Sequence, residues 1–472
     1  MKDLFRRKSI DELVDHRAAN RLRPSLSAWH LVLLGVGAIV GTGIYTLVGI
    51  GAERAGPAVI VSFAIAGAVC AFAALAYAEL ATMMPASGSA YTYSYASMGE
   101  LIAWIIGWAL ILEYSVVCSA VAVGWAGYAA GFLEGFGVHL PAALIGGPAT
   151  EGGLVNLPAI LIVAAVTGML LIGTRESANV NSVLVVVKIV ALAIFVALAI
   201  PAFNAANFEP FSPYGFAAHV DANGADRGIM SAAAIIFFAF YGFDAVSTAA
   251  EETKDPGRNL SIGIIGSMVA CTLIYMTVAA SAVGAMSFRE FAASSEPLAH
   301  ILRTLGHPQA AGLIAAAAVV ALPTVILAFM YGQSRIFFVM ARDGLLPHQL
   351  GKVHEKSGAP VAMTIITGVV CSLIAGVLPL ATIAELANAG TLAAFIATSA
   401  ALMILRVREP ARERPFKTPL AFVVAPLAIA GCLYLFFSLP TVTQTRFFIW
   451  MGVGLVVYFV FSRGSSVLGR RG

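Results

Sequence analysis

Runs of about twenty apolar residues dominate the chain, and about twenty is the length a helix needs to cross a bilayer core at 1.5 Å per residue. Such runs fall near 28–51, 57–83, 99–131, 154–173, 182–201, 229–250, 259–286, 309–340, 360–379, 382–405, 419–438 and 446–462. They predict an all-α integral membrane protein with 12 transmembrane helices, Pro379 and Pro440 marking two of the tight turns. Composition agrees. Charged residues make up 11% and hydrophobic ones 60%, against about 25% charged in a soluble domain. The five cysteines (Cys70, Cys118, Cys271, Cys371 and Cys432) sit in apolar runs without a CxxC pair, so they read as packing residues. The eight histidines have no metal-ligand spacing. The chain carries no nucleophile–base set and no cofactor motif, and nothing in it points to nucleic acid. The glycines of GAIVGTG do not follow a strand, so they are not a nucleotide loop. The expectation is a non-enzyme without metal or cofactor. The first 24 residues are charged and have no signal-peptide core, so the first span is expected to insert itself.

Orientation follows from Lys and Arg. One side takes Lys2, Arg6, Arg7, Lys8, Arg17, Arg21, Arg23, Arg175, Lys254, Arg258, Arg335, Arg342, Lys352, Lys356, the cluster Arg406–Lys417, Arg463, Arg470 and Arg471. The other side holds Arg54, Arg227, Arg289, Arg303 and Arg446. The excess marks the cytoplasmic side and puts both termini there. The organisation expected is a cytoplasmic segment 1–27, a ten-helix core 28–405, a cytoplasmic loop 406–418, two additional helices within 419–462 and a tail 463–472. The stretch LFRRKSIDELVDH suits either a surface helix opened by Ser9 or a disordered basic tail. The outer loop near 202–228 is too short and turn-rich to fold alone.

Two spans are not plain helices. The first contains Gly35, Gly37, Gly41 and Gly43; the sixth contains Phe238, Tyr241, Gly242 and Asp244. Each glycine lowers helix propensity by about 1 kcal/mol relative to alanine. Clustered glycine permits unwinding, which membrane depth tolerates only around a protein-lined or wet cavity. Close helix packing through Gly37 and Gly41 as a GxxxG face is the competing reading. Their position decides between the two. Spans one and six each begin a block of five, so the halves 28–201 and 229–405 form an inverted repeat with helices 1 and 6 discontinuous. Matched breaks of that kind point to a transport site. A half-helix starting near Gly41-Thr42-Gly43 offers N–H groups to a carboxylate. Half-helices ending near Ala38-Ile39 and Phe238-Tyr241 offer carbonyls to an ammonium. Together they suit an α-amino acid.

GAIVGTGIY in span one, ELATMMPASGSAYTYSY after span two, GWALILEY, FFAFYGFDAVSTAAEETKDPGRNL through span six and YGQSRIFFVMARDGLLP after span eight carry a resemblance. From about 20 to 460 the chain resembles the amino acid–polyamine–organocation superfamily, and within it bacterial homologues of the cationic amino acid transporter family. The resemblance implies the LeuT-like five-plus-five fold with two further C-terminal helices. It also implies substrate contacts at Ile39, Gly41, Thr42, Gly43, Phe238, Tyr241 and Gly242. Tyr241 stands where homologues often have a smaller aliphatic residue, so its ring bears on side-chain preference.

Lys188 lies in span five, about 10 Å past Asn181 at 1.5 Å per residue. Snorkelling to the inner surface is one reading; a place on the coupling pathway is the other. In proton-coupled relatives a lysine at this motif position occupies the sodium place, which implies that Lys188 carries the coupling proton. Glu113 in span three is too deep to snorkel. It is either paired for structure or engaged with a substrate side chain or proton. Asp244 suits a cap on the half-helix that restarts there. Glu79, Glu251, Glu252 and Glu385, near span ends, read as gate or loop contacts. The function expected is import of L-amino acids, cationic or small neutral, across the bacterial inner membrane by alternating access and proton symport. An amino acid/amine exchanger is the alternative, and a membrane receptor or sensor a distant one. The partners expected are substrate and membrane lipid; oligomeric state is not readable.

Overall fold

The computed structural model describes residues 2–11, 26–86, 88–172, 178–250, 253–351 and 361–470. Glu251, Glu252, Arg17, Arg21, Arg23, Arg175, Lys352 and Lys356 lie outside them, as does the second half of the N-terminal stretch. Its described part leaves a short 3-10 turn, Lys2–Phe5, runs irregularly over 6–9 and enters a helix at Ile10, where Ser9 Oγ accepts the Asp11 N–H at 3.3 Å. Among the described residues, eight helices are long and apolar enough to cross a membrane, and Ala28–Ile39, Leu157–Leu171, Val361–Val377 and Ala421–Phe437 are shorter apolar ones.

Span one is three pieces: α1 (Ala28–Ile39), the single turn α2 (Thr42–Tyr45) and α3 (Leu47–Ala55). Ser27 starts it, its hydroxyl taking the His30 N–H while the His30 ring takes the Ser27 N–H. Histidine thus fills the return position of a capping box. α4 (Val59–Met83), α5 (Ser89–Ser97), α6 (Glu100–Glu134), α7 (Leu157–Ile172) and α8 (Ala178–Ala199) follow. A ribbon, β1 (His219–Val220) with β2 (Asp226–Arg227), folds the loop between α8 and span six back on itself. Span six is α9 (Ile229–Ile236), a 3-10 turn over Phe237–Phe240 and α10 (Phe243–Thr248). Then come α11 (Pro256–Ala285), α12 (Pro308–Arg342), α13 (Val361–Val377), α14 (Leu380–Arg408), α15 (Ala421–Phe437) and α16 (Thr441–Val457). Pro379 and Pro440 precede α14 and α16 as expected, but the last helix begins at Thr441 rather than near 446. Proline lacks an N–H, so its cheapest place is a helix start.

The 35-residue α6 runs along α12 and α14, while α11 packs on α1 and α4. Small residues set these approaches, since lipid is as apolar as leucine and supplies no hydrophobic drive between helices. A Cβ on Gly124 would sit 2.3 Å from Thr42 Cγ2, and one on Gly35 2.4 Å from Ser267 Oγ. The intimate packing in span one is therefore at Gly35, Gly43 and Gly51, whereas a Cβ on Gly41 meets nothing closer than 3.5 Å.

Polar clusters close both ends of the bundle. At one end Lys8 Nζ and the Tyr91 hydroxyl each donate to Asp343 at 2.8 Å. The Glu100 carboxylate takes the hydroxyls of Tyr95, Tyr458 and Ser466. The N-terminal segment and the C-terminal tail therefore share one side. There too, buried Glu79 takes Arg406 through two hydrogen bonds of 2.7 and 2.6 Å and the Thr418 N–H at 2.8 Å, with Arg414 paired at 3.0 Å. At the far end Arg54 meets Glu385 at 2.5 Å and Asp226 at 3.6 Å, and Thr443 donates to Glu385 at 2.9 Å. Glu79 and Glu385 are thus end-of-span contacts, in agreement with the sequence.

Candidate functional site

The helix-one break has a local cause. Val40 is extended (φ −72°, ψ 93°) and Gly41 lies at φ −144°, ψ −149°, so the helical ladder stops at Val40 and restarts at Thr42. In span six the chain tightens to a 3-10 turn, becomes extended at Tyr241 and turns through Gly242 at φ +119°. That φ disfavours any residue with a Cβ. Gly242, not Asp244, is the N-cap of α10; Asp244, in the first turn, reaches back so that its Oδ1 accepts the Gly242 N–H at 3.1 Å.

The two breaks touch through glycine. A Cβ on Gly43 would lie 2.3 Å from Ala239 Cα, and one on Gly242 2.7 Å from the Ala38 carbonyl carbon. Each break presses bare backbone into the other, a fit no larger residue allows. Ile39, Gly41, Thr42, Gly43, Phe238 and Tyr241 all line one cleft. Gly242 is placed behind it, against Ala38 and Ile39.

The half-helix that opens at Thr42 leaves its first N–H groups without intrahelical acceptors. The carbonyl side is busier than expected. Ile39 O accepts the Tyr275 hydroxyl at 2.7 Å and Gly37 O accepts Lys188 Nζ at 3.0 Å. A carbonyl has two lone pairs, so each keeps one.

Lys188 is completely buried, and its ammonium also donates to Thr324 Oγ1 at 3.3 Å. Snorkelling is excluded. The side chain points inward and ties span five to α1 one turn before the break. Tyr45, from the restarted half-helix, donates to the Lys188 carbonyl at 3.3 Å. Lysine thus contacts both halves of span one.

Glu113 is equally buried, and among the described residues neither of its carboxylate oxygens has a hydrogen-bond partner. Glu113 sits four and eight residues before Val117 and Val121, which line the cleft. That spacing puts it on the same face of α6, about 6 Å, one turn, beyond Val117.

The cleft wall missed by the sequence is apolar: Val117 and Val121 from α6, Val325 and Phe329 from α12. Valine and phenylalanine inside apolar spans give no sign of facing a cavity, so only tertiary packing reveals them. The space left is about 10 Å³, near the minimum for a single water. A molecule the size of an amino acid enters only when the surrounding helices part. Among the described residues no group of three or more His, Cys, Asp or Glu side chains is placed to hold a metal ion.

Sequence comparison agrees with this arrangement. The profile of the amino acid permease family matches residues 26–461. A branched-chain amino acid permease of Bacillus subtilis is 46% identical over 98% of this chain and 99% of its own length. A methylthioribose transporter of the same organism is 41% identical over the full length of both. A vacuolar cationic amino acid transporter of Arabidopsis thaliana is 35% identical over 87% of this chain and 68% of its own length. These relatives are transporters rather than enzymes. With two broken spans meeting over a buried lysine in a multi-pass membrane bundle, the chain belongs to the amino acid permease family of the amino acid–polyamine–organocation superfamily.

Proposed function

We propose that the protein imports neutral aliphatic amino acids across a bacterial cytoplasmic membrane by proton symport, with both termini cytoplasmic. The observation that carries this reading is the meeting of the two helix breaks, with Lys188 Nζ 3.0 Å from Gly37 O just below them. The half-helix opening at Thr42 is suited to the substrate carboxylate, and the spare lone pairs at the break to its ammonium. An apolar wall of valine and phenylalanine favours an aliphatic side chain over a charged one, because an unpaired charge against it loses its hydration. A relative named for branched-chain amino acids supports the same choice. The reading places twelve spans in a five-plus-five inverted repeat, over 28–201 and 229–405, plus two C-terminal helices. The pinched cleft, closed at both ends by polar clusters, suits a conformation between outward and inward opening. Lys188 is the coupling residue. Protonated, it holds Gly37 O by a charge-assisted bond; deprotonated, it keeps only a weaker neutral bond and loosens its hold on α1.

The test is uptake of leucine by the purified protein in liposomes under an imposed pH gradient, acid outside. Wild type accumulates leucine, and Lys188→Ala binds it without gradient-driven accumulation. Accumulation by Lys188→Ala, or uptake indifferent to the gradient, refutes proton symport, the latter in favour of exchange. Competition by leucine, arginine and methylthioribose decides the substrate class.

A further inference from the structure

We propose that Asn388 sets the size of side chain the cleft accepts, by holding the ring of Tyr241 as a fixed wall. The inference rests on the amino acid reading of the site and adds a residue outside it.

Asn388 lies on α14, is completely buried and does not line the cleft. Both polar atoms of its side chain engage span six. Its Nδ2 donates to Ala234 O at 2.6 Å and Ile235 O at 3.2 Å, and its Oδ1 accepts the Tyr241 hydroxyl. The two carbonyls belong to the last turn of α9, where the change to a 3-10 turn takes away regular i+4 donors. Only one orientation of the amide serves all three groups, since the reverse aims its oxygen at two carbonyl oxygens. Asn388 therefore joins the end of α9 to the residue after the break.

Tyr241 is where this clamp meets the substrate. Its backbone is extended, outside any helix, so the ring is positioned by contacts alone. Phe237 and Phe238 pack against it with centroids 5.6 and 5.1 Å away, and the hydroxyl is tied back to α14. Phe238 and Tyr241 both line the cleft. A wall held at hydroxyl and ring rejects side chains that a swinging ring would admit. Asn388 is thus a positioning residue, acting through Tyr241.

The experiment is equilibrium binding of alanine, valine, leucine and phenylalanine to the purified full-length protein. Tyr241→Phe keeps the ring and both carbonyl bonds and removes only the tether. Asn388→Leu removes tether and bonds together. We expect phenylalanine to gain on alanine by about tenfold in Tyr241→Phe, the scale on which a pocket discriminates a methylene or two. Asn388→Leu should shift the ratio equally, and the double variant no further. A ratio within about twofold of wild type in Tyr241→Phe, below that scale, overturns the proposal even if Asn388→Leu does not fold. So does a double variant whose shift is the product of the single ones. If wild type binds none of the four, the amino acid reading fails, and this inference with it. If it binds them with an unaltered size profile in Tyr241→Phe, only the role of Asn388 fails.

Discussion

Replacing Gly43 with alanine puts a methyl carbon 2.3 Å from Ala239 Cα and 2.5 Å from its Cβ. Ordinary carbon contacts begin near 3.5 Å, so the breaks of spans one and six must separate by about 1 Å. Nothing soft absorbs that displacement, because the neighbour is backbone of the 3-10 turn rather than the end of a flexible side chain. Overpacking of this kind costs roughly 1–3 kcal/mol. The loss at the site is larger. Half-helix N–H groups and carbonyls act together only in register, and a 1 Å misplacement costs about 100-fold where several groups act at once. Gly43→Ala should therefore melt at a lower temperature than wild type and bind leucine about 100-fold more weakly. Gly312→Ala is the control, since a Cβ there meets nothing within 4 Å. It gains about 1 kcal/mol of helix propensity, and its binding should match wild type. Thermal unfolding in detergent and binding calorimetry on the two variants decide the matter. Wild-type affinity in Gly43→Ala would show that the two breaks do not form one site.

Three other outcomes are expected. Arg54→Ala leaves Glu385 buried beside Asp226 without its cation; breaking a buried pair costs about 3–5 kcal/mol, so unfolding should shift sharply, and joint replacement of Arg54 and Glu385 by leucine and methionine should recover most of it. Glu113→Gln keeps the shape of a side chain whose two oxygens have no partner among the described residues, so melting at or above the wild-type temperature is expected, and a large loss would reveal a hidden cationic partner. Asp221, in the loop between α8 and span six, is held below the ordinary aspartate range by the Ala225 N–H first and then the Arg227 guanidinium. A depressed carboxylate stabilises above its unfolded value, about 3.9, and the effect fades as pH falls through the lower folded value; hydrogen exchange of residues 219–227 should stay slow to below pH 4 in wild type and quicken in Asp221→Asn.

Much of the architecture was legible because membrane insertion imposes a length rule. A run of about twenty apolar residues has almost no alternative to a helix in lipid, so the helices fall where the runs fall. The glycine clusters were legible as breaks for a similar reason: Gly41 and Gly242 remove helix propensity wherever they stand. Hydrophobicity and propensity are local quantities, and a sequence records them directly. Contacts between distant spans are not local. That Gly43 meets Ala239, that Ile39 O is already taken by Tyr275, and that Lys188 bonds Gly37 rather than reaching for water depend on how helices far apart in the chain approach one another. The same holds for the cleft wall, where Val117 and Val325 resemble any lipid-facing valine until α6 and α12 are packed. The sequence determined that this chain spans the membrane with two broken helices. Only the tertiary structure decided that the breaks meet, because the small residues at the crossings let backbone touch backbone there.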